Sequence, residues 1–337
     1  MRQVFYASLA VVPWVAFTLL LRLIVKIEGW PVGIVGTFSR LITLPLLGGW
    51  ILVTGAGWRR LLPGRALPWL LLMGALSITI NLLWFGSVKW TTATNVAMLM
   101  RLDLIFVVLI GAALGLERLG HAQLALVPLM FVGLALLSEI EKLDLGGHLL
   151  GDVMVVVAAL GLAANAFIIR HILRTMDEEA VALYNHSISM LGFVALGLAC
   201  GDFARTQQVL AAPAAWAPIA VLGVVAAVSL PLYYVALRRM DVWKLRMYML
   251  SAPVLTAVVE WPLWGLRLAP LQWLGAAIIL GGLAVLIRIE GRTHVGPAAQ
   301  PCAADDALAA VESPAGAPTR APCSSGPSHE NRKDPVA

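Results

Sequence analysis

The sequence predicts an all-α membrane protein that crosses the bilayer ten times, and three observations support this fold class. Apolar stretches run almost without interruption from Val4 to Arg288 and are separated by short polar loops. Of the 337 residues, 60% are hydrophobic and only 13% are charged, about half the charged fraction of an ordinary soluble domain. Each apolar stretch also reaches the roughly 20 residues that a helix needs to cross a hydrocarbon core about 30 Å thick.

The predicted spans occupy most of the chain and leave no room for a sizeable soluble domain. They cover residues 4–25, 31–54, 67–88, 93–115, 121–140, 150–171, 179–200, 213–237, 245–265 and 271–290. The HExxH, GxSxG and GxxxxGK patterns are absent, and the three cysteines form no CxxC pair. Because these patterns mark metalloproteases, serine hydrolases, phosphate-binding loops and zinc or redox sites, we predict no enzyme, no metal and no cofactor.

The distribution of positive charge predicts the orientation in the membrane. When the N-terminus is placed in the cytoplasm, twelve Lys and Arg residues flank the cytoplasmic ends of the spans and six flank the opposite ends. Positive residues collect in cytoplasmic loops, so we expect both termini to face the cytoplasm. The same bias explains the net charge of +5 without nucleic acid as a partner. The Ala-, Leu-, Val- and Arg-rich composition favours a bacterial inner membrane.

An internal repeat predicts how the spans are organised. A shift of 149 residues superposes spans three to five on spans eight to ten without gaps. Matches beyond the common Leu and Ala pairs join Arg118 to Arg267, Gln123 to Gln272 and Gly133 to Gly282. Each half has five spans, and an odd number forces the second half to enter from the opposite side. We therefore predict two inverted five-helix repeats around a midplane cavity, a plan that is typical of secondary transporters.

The predicted boundaries are 1–140 for the first repeat, 141–290 for the second repeat and 291–337 for a C-terminal tail. The tail contains segments such as SPAGAPTRAPCSSGPSHE, which are rich in Ala, Pro, Ser and Gly. A segment of this composition buries too little apolar area to offset the entropy lost on ordering, so we expect it to be disordered and cytoplasmic.

Four sequence segments resemble one known family. They are LLWFGSVKWTTATNVAML, GLERLGHAQLALVPLMFVGLALL, SAPVLTAVVE and LQWLGAAIILGGLAVL. With the ten-span repeat, they make residues 5–288 similar to EamA-type members of the drug/metabolite transporter superfamily. Arg40, Glu117, Gln123 and Pro253 stand where that family carries these residues. The sequence departs from the pattern at two positions: Leu104 replaces a Pro in span four, and Leu266 replaces the Glu of the second half.

Four charged side chains are predicted to lie inside the bilayer, where each costs at least about 2.5–3.5 kcal/mol on insertion. They are Arg101 and Asp103 in span four, Arg40 in span two and Glu260 in span nine. In the functional interpretation, Arg101 binds an anionic group through its planar guanidinium, and Asp103 or Glu260 carries a coupling proton. The alternative is a set of interhelical ion pairs that fix the packing, with Arg40 as the expected partner of Asp103.

A second group of candidate residues is polar or aromatic. Its members are Asn81, Trp84, Asn165, Tyr184, Asn185, His186, Tyr233 and Tyr234. They line the cavity in the functional interpretation. In the alternative, the Asn side chains hold helices together, His186 has a structural role beside Arg40, and the aromatic residues belong to the interfacial belt.

The fold and the resemblance together favour a secondary active transporter. It would export a small metabolite or drug-like solute across the plasma membrane by alternating access, with proton coupling. The alternatives are an intramembrane enzyme and a membrane scaffold or sensor without transport activity. The sequence makes no prediction of the oligomeric state.

Overall fold

The computed structural model describes residues 2–27, 29–54, 61–87, 90–117, 120–138, 148–211, 213–265 and 268–293, and the regular structure among them is helical. The helices of the first half are α1 (Arg2–Arg22), α2 (Val32–Val53), α3 (Leu67–Ser87), α4 (Ala93–Leu99), α5 (Leu102–Ala113) and α6 (His121–Leu137). Those of the second half are α7 (Leu149–Ile172), α8 (Glu178–Cys200), α9 (Thr206–Ala211), α10 (Pro213–Arg239), α11 (Val242–Met249), α12 (Ser251–Trp264) and α13 (Pro270–Thr293). The predicted all-α class is confirmed.

The helices have the lengths that a multi-pass membrane protein requires. Within the described ranges, eight helical stretches are long and apolar enough to cross a bilayer, and two shorter apolar helices, α5 and α6, lie where spans four and five are predicted. Large apolar side chains such as Leu71, Leu150 and Leu198 are exposed on these helices, as lipid contact allows. The predicted tail lies outside the described residues from position 294 onward.

Spans four and nine are interrupted, whereas the sequence predicts them to be continuous. Span four turns at Met100 and Arg101, where the N–H groups of Arg101 and Leu104 each bond the carbonyl three residues earlier. Span nine breaks at Leu250, between α11 and α12. Pro253 lies at the start of α12 and lacks the N–H that would continue the helical bonding there. The two interruptions fall at the same place in each repeat, although the first forms without a proline.

The packing of the helices is almost unchanged when the two halves are exchanged. The counterparts in the two halves are α1 and α7, α2 and α8, α3 and α10, and α5 and α12. Helix α1 packs against α10, and its counterpart α7 packs against α3. In the same way, α2 packs against α10 and α8 packs against α3. Similarly, α1 packs against α12 as α7 packs against α5, whereas α2 contacts its own counterpart α8 and α6 contacts its counterpart α13. This exchange pattern is that of two repeats related by a pseudo-two-fold axis. The boundary near residue 140 lies outside the described residues and stays a prediction.

The last helices of the two repeats, α6 and α13, approach each other closely at a pair of glycines. A Cβ at Gly275 in α13 would lie 2.4 Å from the carbonyl oxygen of Gly133 in α6, so the glycine allows the two backbones to touch. Both helices also begin with the same bond. The Gln123 side chain accepts from the N–H of Gly120, and the Gln272 side chain accepts from the N–H of Ala269.

Candidate functional site

An ion pair joins the two interrupted spans. Asp103 lies in the first turn of α5 and is buried, and Arg246 lies in the last turn of α11. Nη1 of Arg246 donates to Oδ2 of Asp103 at 3.1 Å. The guanidinium carbon of Arg246 also lies 5.8 Å from the centre of the Tyr233 ring, which is a favourable position for a cation. The pair therefore connects the first repeat to the second at the points where their helices are interrupted.

Arg101 brings a second positive charge to this ion pair. It is half-buried at the turn between α4 and α5 and interacts electrostatically with both Asp103 and Arg246. For the described part of the chain, no salt bridge of Arg101 is found. Asp103 is already paired with Arg246, so the charge of Arg101 is one that an anionic group could neutralise.

The predicted ion pair between Asp103 and Arg40 is wrong. Asp103 pairs with Arg246 because α5 packs against α11, whereas α2, which carries Arg40, packs against α8 and α10. Nη1 of Arg40 instead bonds the hydroxyl of Ser39 at 3.1 Å. The guanidinium carbon of Arg40 lies 5.2 Å from the centre of the Phe193 ring.

The polar candidates are distributed over several helix contacts. Asn165 in α7 donates to Ser77 in α3 at 3.1 Å, a bond that holds two helices together. Asn185 in α8 donates to the hydroxyl of Tyr234 in α10. Tyr184 donates to the carbonyl of Leu61 at 2.7 Å.

The aromatic candidates and Asn81 differ in burial. Tyr233 is 7% exposed and Tyr234 is fully buried, so the belt interpretation does not apply to these two residues. Tyr233 also lies against Trp14, with 6.3 Å between the ring centres. Trp84 and Asn81 are half-buried on α3.

Glu260 is held by an ion pair at one end of the bundle. The Arg22 side chain, at the end of α1, pairs with Glu260 in α12. Arg22 also lies 5.5 Å from the centre of the Trp264 ring. Glu260 thus forms an interhelical ion pair. This is the structural interpretation that stood as the alternative to a role in proton coupling.

A related ion pair lies at the other end. Arg170, in the last turn of α7, donates from Nη1 to Oε1 of Glu117 at 2.5 Å. The Glu117 carboxylate also accepts from the N–H groups of Val242 and Trp243 at 2.6 and 3.2 Å, and so it caps the start of α11. Burial raises the pKa of Glu117, and the bonds from Val242 and Arg170 act in the opposite direction.

These two ion pairs are counterparts under exchange of the halves. Each joins the end of the first helix of one repeat to the end of the fourth helix of the other, α1 to α12 and α7 to α5. The two carboxylates occupy different positions in their repeats, because Glu260 aligns with Gly111 and Glu117 aligns with Leu266. The carboxylate that pairs with Arg22 thus stands six residues before Leu266, at Glu260.

Sequence reasoning missed Arg246 and Asp152. Arg246 stands at the predicted start of span nine, where an arginine resembles an ordinary loop residue. Its position one turn before the interruption at Leu250 is the signal that identifies it. Asp152 accepts from Thr91 and, at 2.9 Å, from Asn95, so it joins α7 to the start of α4.

A surface cavity lies away from these residues. Its volume is about 480 Å³, and residues 62–66 and 175–177 line it. Among the described residues, no group of three or more His, Cys, Asp or Glu side chains has the arrangement of a metal site.

Comparisons with known proteins agree with the repeat and the fold. The profile of the EamA-like transporter family matches residues 1–139 and again residues 149–288. A relative from Archaeoglobus fulgidus, named an uncharacterized transporter, is 27% identical over 228 residues, which cover 65% of this chain and 74% of the relative. A solved crystal structure aligns with a TM-score of 0.69 over 86% of this chain and 98% of its own length, at 19% identity. At that identity the likeness supports the fold alone.

Proposed function

The chain belongs to the EamA-like transporter family and is a multi-pass membrane transporter, and from this premise we propose that it is a secondary active exporter of a small metabolite or drug-like solute. It works by alternating access in a bacterial inner membrane, with both termini in the cytoplasm. The two inverted repeats support this proposal, because exchanging their conformations exchanges inward and outward openings.

Two related ion pairs, one at each end of the bundle, are the main support for the proposal. The contacts of Glu117 with Arg170 and of Glu260 with Arg22 stabilise opposite ends of the bundle. A carrier must open one end while the other stays closed. Each contact joins the first helix of one repeat to the fourth helix of the other, so equivalent helices form the two closures and we expect the two closed ends to resemble each other.

The interrupted spans provide the proposed solute site. Arg101 and Arg246 bind the anionic group of the solute, and Asp103 carries the coupling proton. Non-helical turns at membrane depth leave backbone groups available for a ligand when they line a cavity. The ring of Tyr233 lies against Arg246 and offers an apolar surface beside the charge. Asn81, Asn165 and Trp84 are proposed as further lining residues.

Uptake into inverted membrane vesicles tests this proposal. We expect wild-type vesicles to accumulate one or more members of a metabolite panel when a pH gradient is imposed. Arg101→Gln should lose this flux, whereas a scaffold or sensor protein would show no flux in any variant. Glu178→Gln is the matched control, because Glu178 pairs with the exposed Arg238 at 3.0 Å, away from the interrupted spans.

The coupling proposal has its own readout. Asp103→Asn should keep exchange of labelled for unlabelled solute across the membrane but lose accumulation driven by the pH gradient. Wild-type flux that ignores the pH gradient would overturn proton coupling through Asp103. Flux that persists in Arg101→Gln would show that the solute does not bind at Arg101.

A further inference from the structure

The first helix of each interrupted span is short, and each leads to an arginine of the proposed solute site. Helix α11 has eight residues and carries Arg246. Helix α4 has seven residues and ends two residues before Arg101. Because the interruption breaks the helical bonding to the rest of the span, the contacts at the other end of each short helix determine where its arginine lies.

The start of α11 is held by a carboxylate from the other half of the chain. Its own N-cap residue, Asp241, makes no capping hydrogen bond, and the Asp241 carboxylate pairs with Lys244 at 2.9 Å instead. The two oxygens of Glu117 accept from the N–H groups of Val242 and Trp243, at 2.6 and 3.2 Å. Glu117 therefore supplies the cap that α11 lacks, about 6 Å along the helix from the solute-site arginine.

The start of α4 is also held by a carboxylate from the other half. Oδ1 of Asp152, in the first turn of α7, accepts from the Thr91 hydroxyl and, at 2.9 Å, from the Asn95 side chain. The hydroxyl of Thr92 already caps α4 by accepting from the N–H of Asn95 at 3.1 Å. The cap is thus formed within the chain segment itself, and the bonds of Asp152 fix where α4 lies against α7.

A close backbone approach keeps Asp152 within reach of α4. A Cβ at Gly151 would lie 2.6 Å from the carbonyl carbon of Trp90 and 2.8 Å from the backbone nitrogen of Thr91. Both are backbone atoms, so the glycine lets α7 touch the segment that leads into α4. Asp152 is 7% exposed and Asn95 is fully buried, so water competes little for these bonds.

The two contacts lie at opposite ends of the bundle. Span four begins after three crossings of the membrane and span nine begins after eight, so α4 and α11 start on opposite sides. Each end of the bundle therefore contains a carboxylate of one half that holds the short helix of the other half. These bonds are separate from the ion pair between Asp103 and Arg246, which lies at the interruptions.

We propose that Glu117 and Asp152 are positioning residues for the solute site. Glu117 sets the position of Arg246 from one end of the bundle, and Asp152 sets the position of Arg101 from the other. When one end opens, its carboxylate releases the short helix, and the arginine moves away from the solute on the side to which the solute leaves. This inference rests on the proposed solute site and adds two residues that act on it without touching the solute.

The concentration dependence of flux into inverted vesicles tests the proposal, with rates normalised to the amount of folded protein. Asp152→Ala removes the acceptor of both bonds, and we expect the KM for the transported solute to rise by at least about threefold, as the loss of one buried hydrogen bond of ordinary strength gives. Asp152→Asn should restore the wild-type KM, because both donors are uncharged and one amide oxygen can accept from both.

Glu117→Gln should behave differently from Asp152→Asn. Glu117 uses two oxygens for two N–H groups, and an amide offers one oxygen, so we expect its KM to rise by at least about threefold as well. A general loss of stability would lower the amount of folded protein or the maximal rate without this contrast. Glu178→Gln, at the partly exposed pair with Arg238, should keep the wild-type KM.

The outcomes separate this inference from the proposed export. If wild-type vesicles transport a solute but Asp152→Ala or Glu117→Gln leaves its KM unchanged, the positioning role of that residue is overturned and the export stands. A KM that rises equally in Asp152→Asn and Asp152→Ala would also overturn the role of the Asp152 hydrogen bonds. If Asp152→Ala does not fold, Thr91→Val, which removes one of the two donors, takes its place with the same expected rise. Wild-type vesicles that transport no solute would overturn the export and the positioning role together.

Discussion

Three arginines of the described spans meet three different environments. Arg246 pairs with the carboxylate of Asp103, and Arg101 interacts electrostatically with the same carboxylate. Arg40 instead contacts an aromatic ring and a hydroxyl. A guanidinium is weakly hydrated for a cation and offers five donors in a plane, so it tolerates enclosure better than an ammonium does. The environment of each guanidinium, rather than the residue type, therefore decides which groups it pairs with.

Removing the Asp103 charge should destabilise the protein strongly. Asp103→Asn leaves Arg246 enclosed without its counter-ion, and breaking a buried pair in this way costs about 3–5 kcal/mol. We expect the free energy of unfolding in detergent to fall by roughly 3 kcal/mol. Glu178→Gln breaks a partly exposed pair and should cost less than about 1 kcal/mol.

A double variant tests whether the side chains of Asp103 and Arg246 stabilise each other. Asp103→Asn combined with Arg246→Gln should be less destabilised than the sum of the two single variants, because no unpaired charge remains. Additive effects in thermal unfolding would show that the two side chains do not interact.

At the scale of elements, the interruptions of spans four and nine determine where side chains meet. Span nine cannot form one regular helix through Pro253, because proline lacks a backbone donor and its ring clashes with the preceding turn. The interruption ends α11 just after Arg246, against α5. Local chain geometry thus produces the contact between repeats.

The glycine contact between α6 and α13 should be sensitive to one methyl group. In Gly275→Ala, the new Cβ would lie 2.4 Å from the Gly133 oxygen and 2.6 Å from the Leu137 nitrogen. Because both are backbone atoms, the helices must separate, and we expect a loss of about 1–3 kcal/mol in the free energy of unfolding.

Gly281 provides a matched control on the same helix. A Cβ at Gly281 meets no atom within 4 Å, so Gly281→Ala should be neutral or stabilise the helix by up to about 1 kcal/mol. Thermal unfolding of the two variants in the same detergent compares them directly. Equal destabilisation of both variants would contradict a contact-specific effect.

The two end contacts should open independently. Glu117→Gln weakens the cap on α11, so peptides that contain Val242 and Trp243 should exchange their amide hydrogens faster, while peptides from α12 stay protected. Glu260→Gln should have the converse effect near the end of α12. Hydrogen exchange followed by mass spectrometry measures both, and a global increase in either variant would indicate general loosening instead.

At the scale of the whole molecule, the described helices form one unit with internal exchange symmetry. The segment that follows this unit, residues 297–337, is rich in Ala, Pro, Ser and Gly. The composition of the second segment predicts that it contributes no packed core. Truncation after Gly296 should therefore leave the unfolding temperature and the vesicle flux unchanged. A fall in either would assign the tail a role in folding or transport.

The sequence was sufficient for the fold class and the family, but not for the paired residues. Span number, the 149-residue repeat and the position of Pro253 are all local or periodic properties of the chain. The expectation that His186 has a structural role beside Arg40 came from aligning the two halves, and it stays a prediction. The expectation that Asp103 pairs with Arg40 failed, because choosing a partner requires knowing which helices touch.

The amino-acid sequence by itself determined that this chain is a ten-span, twofold-repeated membrane protein of a transporter family. It could do so because the thickness of a bilayer and the rise of a helix translate directly into the length and spacing of apolar runs. Only the tertiary structure decided that Asp103 pairs with Arg246, that Glu117 and Glu260 form ion pairs with Arg170 and Arg22, and that Arg40 has no acidic partner among the described residues. Those outcomes depend on helices that are distant in sequence and become neighbours only when the two repeats pack together.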